Sequence, residues 1–320
     1  MTEAIAARAL QKTYGGTTAL AGASLSVDRG EAFALVGPNG AGKTTLVRAL
    51  TGTTAPDDGE VRLLGGPPGE VRRRAVGLLP QSFDPPGRLT ARELVNYYAG
   101  LYDDHRDPEA VLEDVGLAGA ADTRYGDLSG GQRRRACVGT ALVNDPEVLF
   151  LDEPTTGIDP SGRRDVWELL EGLLARGATV FLTTHDMAEA ERLGDRVGLL
   201  ADGELLDVGA PDELIDRYGG PARLVVETDA PAAAVAGSGF DARRLSETSV
   251  RTGAVGSGLV FEGVDPTDIS DVVATLAESG HDYGTVTWFE PALEDVYLAL
   301  ADDPATAKDR RGATAGGDQP

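Results

Sequence analysis

At 320 residues the chain is long enough for one large domain and a smaller one, at roughly 100–200 residues per domain, and its 41 % hydrophobic content suits a packed core. Asp and Glu number 52 against 29 Lys and Arg, a net charge of −23, which opposes binding to nucleic acid or to an anionic membrane surface. No apolar run approaches the roughly 18 residues that cross a bilayer. The opening segment has Glu3 and lacks a basic stretch ahead of a long apolar one, which predicts a cytosolic protein.

Lysine occurs only at Lys12, Lys43 and Lys308. Self-repulsion of this size destabilises a fold at low salt, and molar salt screens it by shortening the Debye length to about 3 Å. The composition therefore reads as that of a high-salt cytoplasm. Cys137 is the single cysteine and falls in an apolar helical stretch, where a small buried hydrophobe is expected. His105, His185 and His281 lie far apart, without metal-ligand spacing.

Residues 1–30 alternate as short strands around a turn at Tyr14-Gly15-Gly16. An apolar strand over 31–36 leads into a Gly-rich loop and a helix over 43–50, the context that a phosphate loop requires. Asp57-Asp58-Gly59 turns into a strand over 60–64, and a short apolar run over 75–79 ends in Pro80-Gln81. Thr90 to Glu93 is a capping box that opens a helix to about residue 102, and helical pieces follow to about 115.

A helix is expected over 130–143, a buried strand over 147–151 and an amphipathic helix over 160–176. The next strand runs over 179–183 and a short helix over 187–193. This alternation argues for a parallel sheet covered on both faces, with a more irregular N-terminal sheet beside it.

Near Gly219-Gly220-Pro221 the pattern changes. Strands at 222–227, 258–262 and 285–289 alternate with helices at 230–236 and 267–279. They outline a small α+β domain over 221–300 that a helix over 293–300 closes, and a disordered tail is expected over 301–320.

In Gly37-Pro38-Asn39-Gly40-Ala41-Gly42-Lys43-Thr44-Thr45 the glycines let backbone N–H groups close on phosphate oxygens. The helix that starts there adds its positive end. Lys43 is placed to reach the β- and γ-phosphates, and the Thr44 hydroxyl to ligate Mg²⁺. The apolar run Val148-Leu149-Phe150-Leu151 delivers Asp152 and Glu153 at a strand end. Asp152 suits water-mediated Mg²⁺ binding, and Glu153 suits a general base that accepts a proton from the attacking water. The runs Arg72-Arg73-Arg74 and Arg133-Arg134-Arg135 read as solvated helix faces with acidic partners, not as nucleic-acid contacts.

Between these elements stands Leu128-Ser129-Gly130-Gly131-Gln132. With five motifs in order, residues 1 to about 220 resemble the ATP-binding cassette (ABC) ATPases. The resemblance implies a P-loop α/β fold with a parallel core sheet, an antiparallel β subdomain and a helical subdomain. Carried over position by position, Tyr14 matches the aromatic that stacks on adenine, and Gln81 the glutamine that senses Mg²⁺ and the γ-phosphate. Ser129, Gly130, Gly131 and Gln132 match the signature that clamps ATP held by the partner subunit. Asp159 matches the interface aspartate, and His185 the switch histidine on the γ-phosphate. Gly157-Ile158 departs from the serine or alanine and leucine frequent there, while the aspartate is kept.

The same resemblance implies a homodimer, or a heterodimer with a related cassette, sandwiching two ATP on the cytoplasmic side of a membrane, where a separate transmembrane permease is bound. Residues 291–298 (PALEDVYL) resemble the ending of ABC-2 type exporter subunits for drugs, sodium ions or polysaccharides, which carry a small domain after the cassette. The alternative is a soluble cassette of translation, repair or cofactor assembly. The translation and repair proteins resemble fused double cassettes or carry long coiled coils, whereas this chain has one set of motifs and no heptad run. The small C-terminal domain argues against the assembly type.

From the charge alone, the thermal midpoint of the isolated protein should rise between dilute buffer and molar KCl. A midpoint indifferent to salt would remove the high-salt reading.

Overall fold

Each central strand of the main sheet is an uninterrupted buried run, as strands covered on both faces must be. In β3, Ala32–Val36, all five residues are buried. The computed structural model describes residues 3–235, 240–247 and 257–302. Contacts divide these into two units that part at Asp212, whereas the composition changes at Gly219-Gly220-Pro221.

The first unit opens with β1, Glu3–Tyr14, and β2, Thr17–Asp28. These are two 12-residue strands joined by the Gly15-Gly16 turn, longer than the short strands expected. A register shift between Ala7 and Leu10 breaks the alternation, and the Ser24 hydroxyl receives the Ala9 N–H there at 2.8 Å. With β4, Asp58–Leu63, they form an antiparallel sheet in the order β2-β1-β4.

The main sheet adds β5, Val76–Leu79, β6, Val148–Asp152, β7, Thr179–Thr184, β8, Arg196–Ala201, and β9, Glu204–Gly209. Its order is β5-β6-β7-β3-β8-β9, parallel except for the final antiparallel pair. The register sets Leu79 beside Leu151, Asp152 beside Thr183, and Val36 beside Thr184. Four strands therefore end together, and the segments that follow them emerge along one edge, where ligands bind in open α/β sheets.

Alternation along β3 sends Phe33 and Leu35 to one face and Ala34 to the other. On the first face they pack with α1, Lys43–Leu50, through Leu46, Val47 and Leu50, and with the small sheet through Ile5 and Leu25. On the second face Ala34 lies against the end of α6, Met187–Leu193, close to Gly194. Phe181 sits 5.5 Å from both Phe33 and Phe150, at the centre of this core.

A helical subdomain comprises α2, Ala91–Ala99, α3, Pro108–Asp114, and α4, Gly130–Leu142. The Thr90–Glu93 capping box opens α2 as expected. Cys137 is buried on α4 beside the Tyr125 hydroxyl at 3.3 Å, and burial pushes its thiol up. Helix α5, Pro160–Ala175, packs on α4 and α6.

The second unit holds α7, Pro211–Tyr218, β10, Arg223–Thr228, β11, Ala242–Arg244, β12, Gly258–Glu262, α8, Ile269–Glu278, β13, Tyr283–Phe289, and α9, Leu293–Asp302. Its four-stranded antiparallel sheet runs β11-β12-β10-β13. The helix expected over 230–236 is a single 3₁₀ turn, Ala232–Val235, within the described residues. Ala232 and Ala234 tuck against the core formed by Leu224, Phe261 and Val272. Asp295 of the PALEDVYL segment pairs with Arg223 at 2.6 Å and receives the Ala292 N–H at 3.0 Å, so this segment pins the start of α9 to β10. The first two residues of the tail expected over 301–320 instead end α9 at Asp302, and the rest of it lies outside the described residues.

Phe181→Ala should cost about 3–5 kcal/mol, the range for emptying a buried aromatic site. The readout is a lowered urea midpoint; an unchanged midpoint would contradict the packing described.

Candidate functional site

The four aligned strand ends bring the separate motifs together. Residues Gly37 to Gly42 link β3 to α1. Gly42 caps the helix at φ 108°, and a Cβ there would stand 2.3 Å from the Ala19 carbonyl oxygen. A side chain is excluded twice over, by backbone conformation and by space. Asn39, Gly40, Gly42, Lys43, Thr44 and Thr45 line a cleft of about 290 Å³, with Gln81 and Glu153 on its far wall. Ala41 is buried, and its N–H bonds to the Pro38 carbonyl at 3.2 Å, which tightens the loop.

Lys43 is only 5 % exposed. Its ammonium donates to the carbonyls of Gly37 at 2.7 Å and Pro38 at 3.2 Å, and lies 3.3 Å from the Glu153 carboxylate. The other carboxylate oxygen of Glu153 receives the Gln81 amide at 3.0 Å and the Thr156 hydroxyl at 2.9 Å, with His185 Nδ1 at 3.4 Å. Three residues from three separate stretches of sequence, Lys43, Gln81 and His185, therefore meet on the carboxylate of Glu153. Burial opposes ionisation of Glu153, but the Thr156 hydroxyl, the Lys43 ammonium and His185 together hold its carboxyl below the usual glutamate range.

Glu153 leaves β6 at φ 50°, in the left-handed region, which costs a non-glycine residue on the order of 1–2 kcal/mol. Its N–H is anchored on Thr183, to the carbonyl at 3.0 Å and the hydroxyl at 3.1 Å. The same hydroxyl donates to Asp152, which is 2 % exposed. Asp152 borders a second cleft, of about 280 Å³, together with Thr44 and Gln81. These side chains offer oxygen donors of the hard-cation kind, a set that suits Mg²⁺ with phosphate and water completing the shell. Among the described residues no group of three His, Cys, Asp or Glu could hold a metal unaided.

The signature stands apart from this cleft. Ser129 caps α4 in a reciprocal box with Gln132, and none of Ser129 to Gln132 lines either cleft. Gly131 packs backbone to backbone on Gly162, where an added Cβ would come within 2.6 Å of the Gly162 Cα. Asp159 caps α5, receiving the N–H groups of Ser161 at 3.1 Å and Gly162 at 3.2 Å. Tyr14 ends β1 with its ring 44 % exposed and the Lys12 ammonium 5.5 Å from its centroid, also outside the cleft lining.

Two features escape the sequence. Helices α5 and α6 are fastened by Arg163–Asp186 at 2.6 Å, Trp167–Glu189 at 2.9 Å and Glu171–Arg192 at 2.6 Å. The buried Glu189 carboxyl is pushed up by desolvation. Only the helical spacing of these residues hints at the arrangement. The second feature is a correction. Arg135 does pair with an acid, Asp165 at 3.3 Å, but Arg133 donates to the carbonyls of Tyr125 and Gly126, and Arg134 turns inward to the end of β6. Packing of α4 against the strand end decides this, and three successive arginines carry no sign of it.

Comparison with known proteins gives a consistent result. The family described as ABC transporter matches residues 20–156. Nod factor export ATP-binding protein I of Rhizobium sp. (strain N33) is 43 % identical over 218 residues, 65 % of this chain and 71 % of the relative. A crystal structure of the ADP conformation of an ATP-binding cassette of an ABC transporter superposes with TM-score 0.60 at 26 % identity, over 68 % of this chain and 95 % of that one. A dimeric cassette in a post-hydrolysis state, bound to ADP and Pi, superposes with TM-score 0.57 at 26 % identity, over 64 % of this chain and 98 % of that one.

Proposed function

The chain belongs to the ATP-binding proteins of ABC transporters, and from that premise we propose that it drives export through a separate membrane permease by ATP-dependent dimerisation. The observation that carries the reading is the meeting of Lys43, Gln81 and His185 on Glu153, with the signature outside that cleft. Similarity to a Nod factor export protein supports the outward direction. A cytoplasmic position at the membrane follows from binding to a permease; no described helix is itself long and apolar enough to cross a bilayer.

In this mechanism the loop N–H groups and the start of α1 cradle the ATP phosphates, and Lys43 supplies the positive charge. Thr44, Asp152 and Gln81 would hold Mg²⁺, which when bound would supply positive charge to the phosphate oxygens. Glu153, kept ionised by its neighbours, accepts the proton of the attacking water. His185 lies beside it to bond the γ-phosphate, and Tyr14 stacks on adenine. Ser129 to Gln132 and Asp159 complete the equivalent site on a second copy of the chain, and hydrolysis removes the γ-phosphate that both halves grip. The acidic surface suits a high-salt cytoplasm.

An aromatic run leads away from the cleft to the surface. Phe83 lies edge-on to Tyr98 at 5.6 Å, Tyr98 to Tyr97 at 5.4 Å, and Tyr97 and Leu101 are each 61 % exposed. Exposed apolar side chains of this size suit a protein interface, and this face, next to Gln81, is the one offered to the permease. Tyr97→Glu should leave ATPase turnover of the isolated protein intact and abolish its co-purification with membranes. Retained membrane association would move the docking face elsewhere.

The dimer reading has its own test. Lys43→Ala should lower kcat by roughly 10²–10³-fold, as the loss of a preorganised charge contact does, and Ser129→Arg should also inactivate. A mixture of these two inactive proteins should recover activity, because the mixed dimer places both lesions in one composite site and leaves the other whole. Lys43→Ala mixed with Glu153→Gln should recover none, since both residues serve the same ATP. Equal outcomes in the two mixtures would count against a signature acting across the interface.

A further inference from the structure

Arg134 lies on α4 five residues after Ser129, and its guanidinium ends on the backbone of the turn that presents Glu153. Nε donates to the Pro154 carbonyl at 2.6 Å, and one Nη donates to the carbonyls of Asp152 at 3.1 Å and Glu153 at 2.9 Å. Three consecutive carbonyls converge on one edge of one side chain because Glu153, at φ 50°, reverses the chain between Asp152 and Pro154. Among the described residues no carboxylate lies within ion-pair distance of Arg134, so its donors are spent on this turn rather than on a partner acid.

We propose that Arg134 is a positioning residue for hydrolysis: it holds the left-handed turn at Glu153 and so sets where the general base stands in the cleft. The inference rests on the reading of Glu153 as that base. A planar guanidinium presents its N–H groups in a fixed fork, and three carbonyl contacts from a rigid helix define both the position and the rotation of the turn. The Thr183 contacts hold only the N–H side of Glu153. The carbonyl side depends on Arg134, helped by the Thr156 N–H at 3.4 Å. Without Arg134, the turn keeps one anchored side and can swing about it, carrying the carboxylate out of line with the attacking water. Misplacement of a reacting group by about 1 Å is worth roughly 10²-fold in rate.

The test compares Arg134→Gln, Arg134→Lys, Glu153→Gln and the double variant Arg134→Gln/Glu153→Gln as purified full-length proteins. Arg134→Gln should lower kcat for ATP by roughly 10- to 100-fold, with KM for ATP and the affinity for a fluorescent ATP analogue unchanged. Arg134→Lys keeps the charge and a donor without the fork, and should recover part of the rate. In the double variant the loss from Arg134 should vanish, because a residue that acts through Glu153 has nothing left to position. A loss that multiplies with that of Glu153→Gln, or one that falls on KM and affinity, would overturn the inference. Thermal midpoints guard against unfolding: should Arg134→Gln not fold, the same cycle is run with Arg134→Lys. The reading of Glu153 fails separately, if Glu153→Gln alone hydrolyses ATP at the wild-type rate.

Discussion

The site depends on one buried pair of opposite charges. Lys43 and Glu153 are each 5 % exposed and 3.3 Å apart. Taking either charge out of water costs several kcal/mol, and attraction repays this only when the remaining donors and acceptors are also satisfied. Here they are. The lysine is held by two carbonyls of its own loop, and the glutamate by Gln81 and Thr156. Each partner comes from the end of a different strand, so the electrostatics demand that the strands end in register. The loops, in turn, have no freedom to drift apart without stranding a charge.

That demand explains the local conformations around the pair. A carboxylate at the end of a buried parallel strand would follow the strand direction out of the sheet. The left-handed residue at Glu153 bends it back over the cleft, and hydrogen bonds to the backbone on both sides of the turn offset the strain, from Thr183 on one side and Arg134 on the other. Helix α4 therefore serves two ends. Its first turn presents the signature, and little more than one turn later it grips the end of the strand that leads to Glu153. The close Gly131–Gly162 approach joins the start of α4 to the start of α5, where Asp159 sits. The elements expected to face a second copy are thus tied within one chain to those that face its own nucleotide.

The second unit follows different physics. Its antiparallel sheet is built from strands of adjacent and distant sequence, and none of the motifs that carry phosphate chemistry falls in it. The segment that resembles an exporter ending has a structural task there. Asp295 links α9 to β10 through Arg223, and Trp288 reaches the Val264 carbonyl at 2.9 Å.

Much of the cassette was legible in the residues because its signals are local. A phosphate loop must follow an apolar strand and open a helix, so Lys43–Leu50 is readable to the residue. A capping box declares its own helix start, as at Thr90. Sequence by itself determined which side chains are the candidates for phosphate, metal and proton transfer, since glycine, lysine, threonine and paired acids are each what that chemistry asks for at a fixed spacing. The tertiary structure alone decided that Lys43, Gln81 and His185 share the carboxylate of Glu153, because strand register is a long-range property. It alone turned Arg134 inward while Arg135 faced an acid. An arginine's charge is visible in a sequence, but whether it is spent on water, on a carboxylate or on three carbonyls depends on what the fold packs against it.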